Sequence, residues 1–182
     1  MGNPISVPLR AAYKLINHGP TTLISTCANG RSNVMAAAWV MAIDFEPPKV
    51  AAVIAADTLT RELVLASGEC VIQVPTRAQA ALTYAVGTVS GREQDKMRAQ
   101  AIATEPGEKV AAPRIAGCAA WLECRRIPEP EIEARYDLFV FEVVAAFVDQ
   151  ARWDGRGWTD PGSIHHAYKG TFFATGERIT AT

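Results

Sequence analysis

The chain is poor in the groups that build metal centres, disulfide scaffolds or membrane anchors. Its 182 residues include only three histidines and four cysteines. The cysteines, Cys27, Cys70, Cys118 and Cys124, make no Cys-x-x-Cys pair, and each lies in an apolar stretch. They read as buried, reduced thiols, which points to a cytoplasmic location. His165 and His166 are adjacent and would face opposite sides of a strand, and His18 is far away in the chain, so no metal site is expected. No apolar run approaches the roughly 20 residues of a membrane-spanning helix. Residues 1–10 hold two prolines and no hydrophobic signal core, and read as an arm, not a secretion signal. Neither charge dominates: 18 Lys and Arg stand against 19 Asp and Glu, a net charge of −1 that gives no general attraction to nucleic acid or to an anionic membrane. Gly-x-Ser-x-Gly, the P-loop and Gly-x-Gly-x-x-Gly are all missing. Support is thereby withdrawn from a serine nucleophile, nucleotide-triphosphate chemistry and a Rossmann nicotinamide site.

What the chain does have is a series of short β-rich segments. Its 49% hydrophobic and 20% charged residues are ordinary globular values, and one domain spanning 1–182 is expected. Thr21–Ala28 is β-branched and reads as a strand. Asn29-Gly30 tolerates positive φ at both positions and predicts a hairpin into a second strand, Ser32–Met41. Pro47-Pro48 breaks the chain before a third strand, Lys49–Ala56. Over Thr58–Ser67 the period becomes helical, with Gly68 as the stop. Glu69–Val74 is a short strand, and Thr76–Val86 is a second helix capped by Thr76. Arg92–Ala103 suggests a short helix or lid. Ile115–Ile127 and Tyr136–Trp153 are long strands separated by a turn at Pro128–Glu131. At least six strands with two or three helices between them predict a mainly β fold, an antiparallel barrel with helices packed outside.

Three segments could carry chemistry. In Ser32–Trp39 three consecutive alanines replace the branched residues a strand prefers, so a flat ligand or another backbone can approach closely. Asn33 adds hydrogen-bonding groups and Trp39 a wall, although a tightly packed core strand would read the same way. At Thr58-Leu59-Thr60-Arg61 two hydroxyls and a guanidinium stand at a helix start, where free N–H groups and the dipole favour a phosphate; a plain N-cap with a solvated Arg is the alternative. Ser90-Gly91-Arg92 through Lys96 supplies further cations beside a flexible glycine, or merely a charged turn.

Together, TTLISTCANGRSNVMAAAW, Pro47-Pro48, TLTRELVLASGECVIQVPT, GTVSGREQDKM, AAWLECRRIP and LFVFEV, in that order and spacing, resemble the flavin reductase-like family, which includes flavoredoxins and FMN-binding split barrels. The resemblance runs over residues 19–148. It implies a six-stranded antiparallel Greek-key split barrel with peripheral helices, forming a homodimer that binds FMN near the subunit interface. Carried over by motif, it places Asn33, Val34, Met35, Ala36, Ala37 and Trp39 at the flavin ring. It places Thr58, Thr60, Arg61, Ser90, Gly91, Arg92 and Lys96 around the phosphate. Tyr168, from the tail, would cover the ring or reach the partner subunit. Two departures stand out. Thr58 occupies a position where many relatives have Arg or Ser, and Arg135-Tyr136-Asp137 stands where many have Gly-Asp-His.

The implied function is NAD(P)H:flavin oxidoreductase-like hydride or electron transfer, with NADH or NADPH as reductant and the flavin, not a side chain, carrying the chemistry. The alternatives are a flavoredoxin-like FMN carrier serving a redox protein partner, and a non-catalytic barrel holding another flat ligand, or haem through His18, His165 or His166.

Overall fold

The computed structural model describes residues 3–181. A large antiparallel sheet dominates it. In chain order its strands are β1 (Pro4–Ser6), β2 (Thr22–Ala28), β3 (Arg31–Ala37), β4 (Val40–Phe45), β5 (Pro48–Val53), β6 (Glu69–Val74), and then β9 (Ala120–Ile127) and β10 (Leu138–Asp149). Helices α1 (Leu59–Ser67), α2 (Ala80–Thr88), α3 (Lys96–Ala99) and α4 (Pro130–Tyr136) lie between them. Two small ribbons complete the fold: β7 (Thr104–Glu105) with β8 (Arg114–Ile115), and a C-terminal hairpin of β11 (Ile164–Tyr168) and β12 (Thr171–Ala174). Among the described residues no helix is long and apolar enough to cross a membrane.

The sheet runs β3-β2-β6-β9-β10-β5-β4, with β1 paired to the far end of β10. Strands β3 and β4 are neighbours in the chain but lie at opposite ends of this path, so the barrel is split between them. The split explains why the path has seven strands where six were expected. Ser32–Met41 reads as one strand in the sequence, yet it breaks at Ala38-Trp39 into β3 and β4. Pro128–Glu131 likewise departs from expectation, since Pro130 begins α4 instead of merely turning the chain, a position proline suits because its missing N–H has no partner in a first turn. Ile115–Ile127 is also interrupted, where Gly117 adopts φ 82°.

Other local signals act as expected. Asn29 and Gly30 have φ of 51° and 74° and close the β2–β3 hairpin with Ala28 opposite Arg31. Thr58 caps α1, and Gly68 ends it in the left-handed conformation, donating its N–H to Val64 O at 2.8 Å. Strand alternation distributes the core. Ile24, Ile72, Leu122, Phe139 and Phe141 fill one cluster with residues of β5. Leu23, Val34, Val71, Trp121 and Phe147 form a second, with Val86 of α2 and the 110–118 segment. Packing on both faces fixes β2 and β3 from two sides, so the small residues of β3 sit on a rigid support.

Candidate cofactor cleft

A polar cleft of about 230 Å³ opens where the N-terminus of α1 meets β3 and the 86–91 segment. Thr58 Oγ1 accepts the N–H of Arg61 at 3.2 Å and donates to Ala55 O, so the cap is satisfied within the chain. The first-turn N–H groups of α1 have no intrahelical acceptor and carry the positive end of the helix dipole. Thr60 is buried, and its Oγ1 accepts from Asn33 Nδ2 at 2.9 Å. Gly91 lies against the same asparagine: a Cβ added there would stand 2.3 Å from Asn33 Oδ1 and 2.9 Å from Leu59 Cδ2. Only a glycine lets the 90–91 turn close over Asn33.

Lys96 completes the cleft. Its side chain is 5% exposed, and Nζ donates to Val86 O at 2.8 Å. It makes no ion pair among the described residues. Burial without a counter-charge lowers its pKa from 10.5 to about 8. A second polar cleft of about 200 Å³, bounded by Arg31, Gln94 and Asp95, shares Asn33, Gly91 and Lys96 with the first.

Two chambers with mainly apolar walls adjoin the cleft at Ala36. One, about 340 Å³, is bounded by Met35, Trp39, Val53 and Ala55. The other, about 350 Å³, is bounded by Tyr84, Gly87, His166, Lys169 and Phe172. Ala36, Ala37 and Ala38 line both, so the alanine run borders open space even though Ala37 is itself buried in the first core cluster.

The structure therefore brings together Asn33, Met35, Ala36, Ala37, Trp39, Thr58, Thr60, Ser90, Gly91 and Lys96. Three other expected residues turn away from it, and Val34 can meet a ligand there only through its backbone. Val34 is fully buried, with its side chain in the second core cluster. The Arg61 guanidinium is turned away from the cleft: it pairs with the Asp137 carboxylate and donates to Glu133 O at 2.8 Å and Ile54 O at 3.2 Å. It also lies 5.1 Å from the centroid of the Phe139 ring. Asp137 here occupies the departure from Gly-Asp-His, so that substitution and Arg61 form one structural pair. Glu133 is held below the usual carboxylate range by its hydrogen bonds to Arg126. Arg92 is exposed and bound to Glu62 at 2.7 Å and to Asp57 O at 3.3 Å. Tyr168 points to solvent near Lys169 and lines neither chamber.

Sequence reasoning missed Tyr84, Gly87, Thr88, Lys169 and Phe172. Tyr84, Gly87 and Thr88 all lie in or near the predicted second helix, and the Gly87-Thr88 ending was readable as a place of close approach. Lys169 and Phe172 are brought in by the tail hairpin, which carries no local signal for a site. The histidines separate as strand alternation demands. His165 Nδ1 bonds Gly19 O at 2.9 Å, beside His18, while His166 faces the chambers. His18 Nε2 bonds Ser163 Oγ at 3.0 Å.

Known proteins resemble this chain along its length. The profile of the flavin reductase like domain matches residues 16–158. Protein YddH of Escherichia coli (strain K12) is 40% identical over the full length of both chains. A solved FMN-binding domain of a flavin reductases-like enzyme from Shewanella baltica superposes with a TM-score of 0.96 at 41% identity, covering 100% of this chain and 98% of that one. Flavoredoxin of Desulfovibrio vulgaris (Miyazaki F) superposes with a TM-score of 0.80 at 26% identity, covering 90% of each chain. The chain belongs to the flavin reductase-like family.

Proposed function

We propose that the cleft binds FMN and that the protein is an oxidoreductase of the NAD(P)H:flavin reductase type. The observation that carries this reading is Lys96, a buried ammonium with one backbone partner and, among the described residues, no ion pair. Such a charge is costly to bury unless an anion completes it. The fit extends to its neighbours: α1 offers its dipole and N–H groups, and Thr60 and Asn33 form a fixed polar wall. Bound FMN would supply one- and two-electron chemistry at its ring. The chain's part is to grip the phosphate through α1, Thr60 and Lys96 and to orient the ring along the β3 backbone beside Met35. The alanine floor allows flat contact, and Trp39 shields one flank from water. Arg61 and Arg92 are left out of the grip.

The reading extends to a homodimer. Trp39, just before β4, and Met41 and Phe45 on that edge strand are 75%, 61% and 60% exposed, making an apolar stripe that continues from one chamber. A second copy covering this stripe would also close the ring's open flank.

The decisive measurement is the visible spectrum of protein mixed with FMN and dialysed, followed by NADH and NADPH oxidation with free FMN added. Flavin binding with nicotinamide-dependent turnover supports the reductase. Retained FMN that is not reduced by NADH or NADPH supports the second reading, an electron carrier, which the similarity to flavoredoxin favours. Absence of flavin binding sinks both.

A further inference from the structure

We propose that the chamber roofed by the C-terminal hairpin is a second binding site, shaped for a planar aromatic carboxylate. The inference rests on the FMN reading above and takes the flavin ring into the other chamber, beside Met35 and Trp39.

The shape of the chamber argues for a flat occupant. Its floor, Ala36–Ala38, has no atoms beyond Cβ. Helix α2 approaches so closely that a Cβ on Gly87 would lie 3.1 Å from Ala36 Cβ. The walls are aromatic. Gly170 packs against the Tyr84 ring with a built Cβ at 3.6 Å, and Phe172 meets His166 edge-on with centroids 5.5 Å apart. Aromatic walls over a bare floor favour a ring that stacks or meets them edge to face.

The polar inventory argues for a negative charge. Thr83 Oγ1 donates to Gln79 O, Thr88 Oγ1 to Tyr84 O, and Thr21 Oγ1 accepts the N–H of His166. Each threonine hydroxyl thus has a partner within the chain. Because a carbonyl can only accept, His166 Nε2 carries the proton it donates to Lys169 O at 2.9 Å, which orients the imidazole. No carboxylate of the described residues lines the chamber. Two polar groups remain, the Tyr84 hydroxyl and the Lys169 ammonium; the ammonium lies 5.2 Å from the centroid of the Tyr168 ring and makes no ion pair among the described residues.

Lys169 is also out of place conformationally. Its φ is 48°, in the left-handed region that asparagine or glycine occupies at lower cost. A hairpin built for stability alone would favour one of those residues there. The hairpin is firmly held, with Thr21 N donating to Ile164 O at 2.8 Å and Thr175 N to Ser163 O at 3.0 Å. It also lies outside residues 16–158, the part matched by the family profile.

The test uses the full chain loaded with FMN and titrated with 2-naphthoate, followed by perturbation of the flavin visible bands and by calorimetry. 2-Naphthamide removes the charge, and cyclohexanecarboxylate removes the planarity. We expect saturable naphthoate binding, with both analogues about tenfold weaker. Lys169→Met should weaken naphthoate to the naphthamide level while FMN affinity stays within about twofold. Lys169→Asn should show the same loss with a melting temperature equal to or above that of the parent. No saturable naphthoate binding, parental binding by Lys169→Met, or a lowered melting temperature for Lys169→Asn overturns the proposal. So does loss of FMN in parallel with naphthoate, which would put the flavin ring in this chamber. A protein that takes up no FMN overturns the cofactor reading and this proposal with it, and the absent flavin bands tell that case apart.

Discussion

Replacing Lys96 with Met should have opposite effects on the empty protein and on the complex. The methionine keeps much of the lysine's length and removes its charge. In the folded chain Lys96 titrates at about 8 instead of 10.5. At about 1.4 kcal/mol per pH unit, carrying the charge at neutral pH costs on the order of 3 kcal/mol. Losing the donor to Val86 O returns about 1 kcal/mol of that. Lys96→Met should therefore stabilise the flavin-free protein by about 2 kcal/mol, raising its melting temperature by roughly 4–8 °C for a domain of this size. The complex should suffer instead. A buried charge-assisted contact to a phosphate contributes about 2–3 kcal/mol, so Kd for FMN should rise roughly 30- to 150-fold. The pH dependence follows from the depressed pKa. Between about 8 and 10.5 the unfolded chain holds a proton that the folded one has released, so the group favours folding as pH rises through that window. Flavin affinity should fall over the same range as Lys96 loses its charge, and the Met variant should show neither slope. Differential scanning fluorimetry without flavin and fluorescence titration with FMN measure the two halves. A variant that binds FMN within twofold of the parent, or that melts lower when empty, would refute the reasoning.

Three further outcomes follow from other parts of the molecule. Arg61→Met strands the Asp137 carboxylate and the Glu133 carbonyl, and should cost about 2–4 kcal/mol in urea denaturation while changing FMN affinity less than about threefold; a large loss of affinity would return Arg61 to the phosphate site. Met41→Glu places a charge in the middle of the β4 stripe and should convert a dimer to monomers in sedimentation velocity, and an unchanged sedimentation coefficient would count against that interface. His18 is held near 4 instead of 6.5, first by burial and then by His165. The unfolded chain therefore takes up a proton that the folded one refuses between those values, and stability should drop as pH falls from 6.5 to 4, by on the order of 2 kcal/mol after allowance for partial exposure. His18→Gln should flatten that slope in denaturation curves at pH 7 and 4.5.

The site was readable where one residue's local chemistry decides its role. Asn29-Gly30 forms the hairpin, Thr58 caps α1 and Gly68 ends it, because caps and turns depend on the backbone of a few neighbours. Gly91 and Lys96 stand in a segment that read equally as a charged turn, and the family resemblance, not local chemistry, pointed to them. Arg61 shows the limit: its position at a helix start suggests a phosphate, but its direction depends on Asp137, which is 76 residues away. The break at Ala38-Trp39 was invisible for a similar reason, since a continuous apolar stretch gives no sign of leaving one sheet edge for the other. The roof over the alanine floor depends on a hairpin that folds back from the tail, and no periodicity in the sequence marks it.

Strand β10 pairs with β9 along most of its length, with β5 through its first half and with β1 at its end. To unzip it, three partners must let go together, so its amides should be among the last to exchange with solvent. Strand β3, which frames the cleft, and β4, which follows the chamber wall at Trp39, each have a neighbour on one side alone. Breathing is therefore confined to the margin of the sheet, where molecules come and go, while the spine behind it holds still.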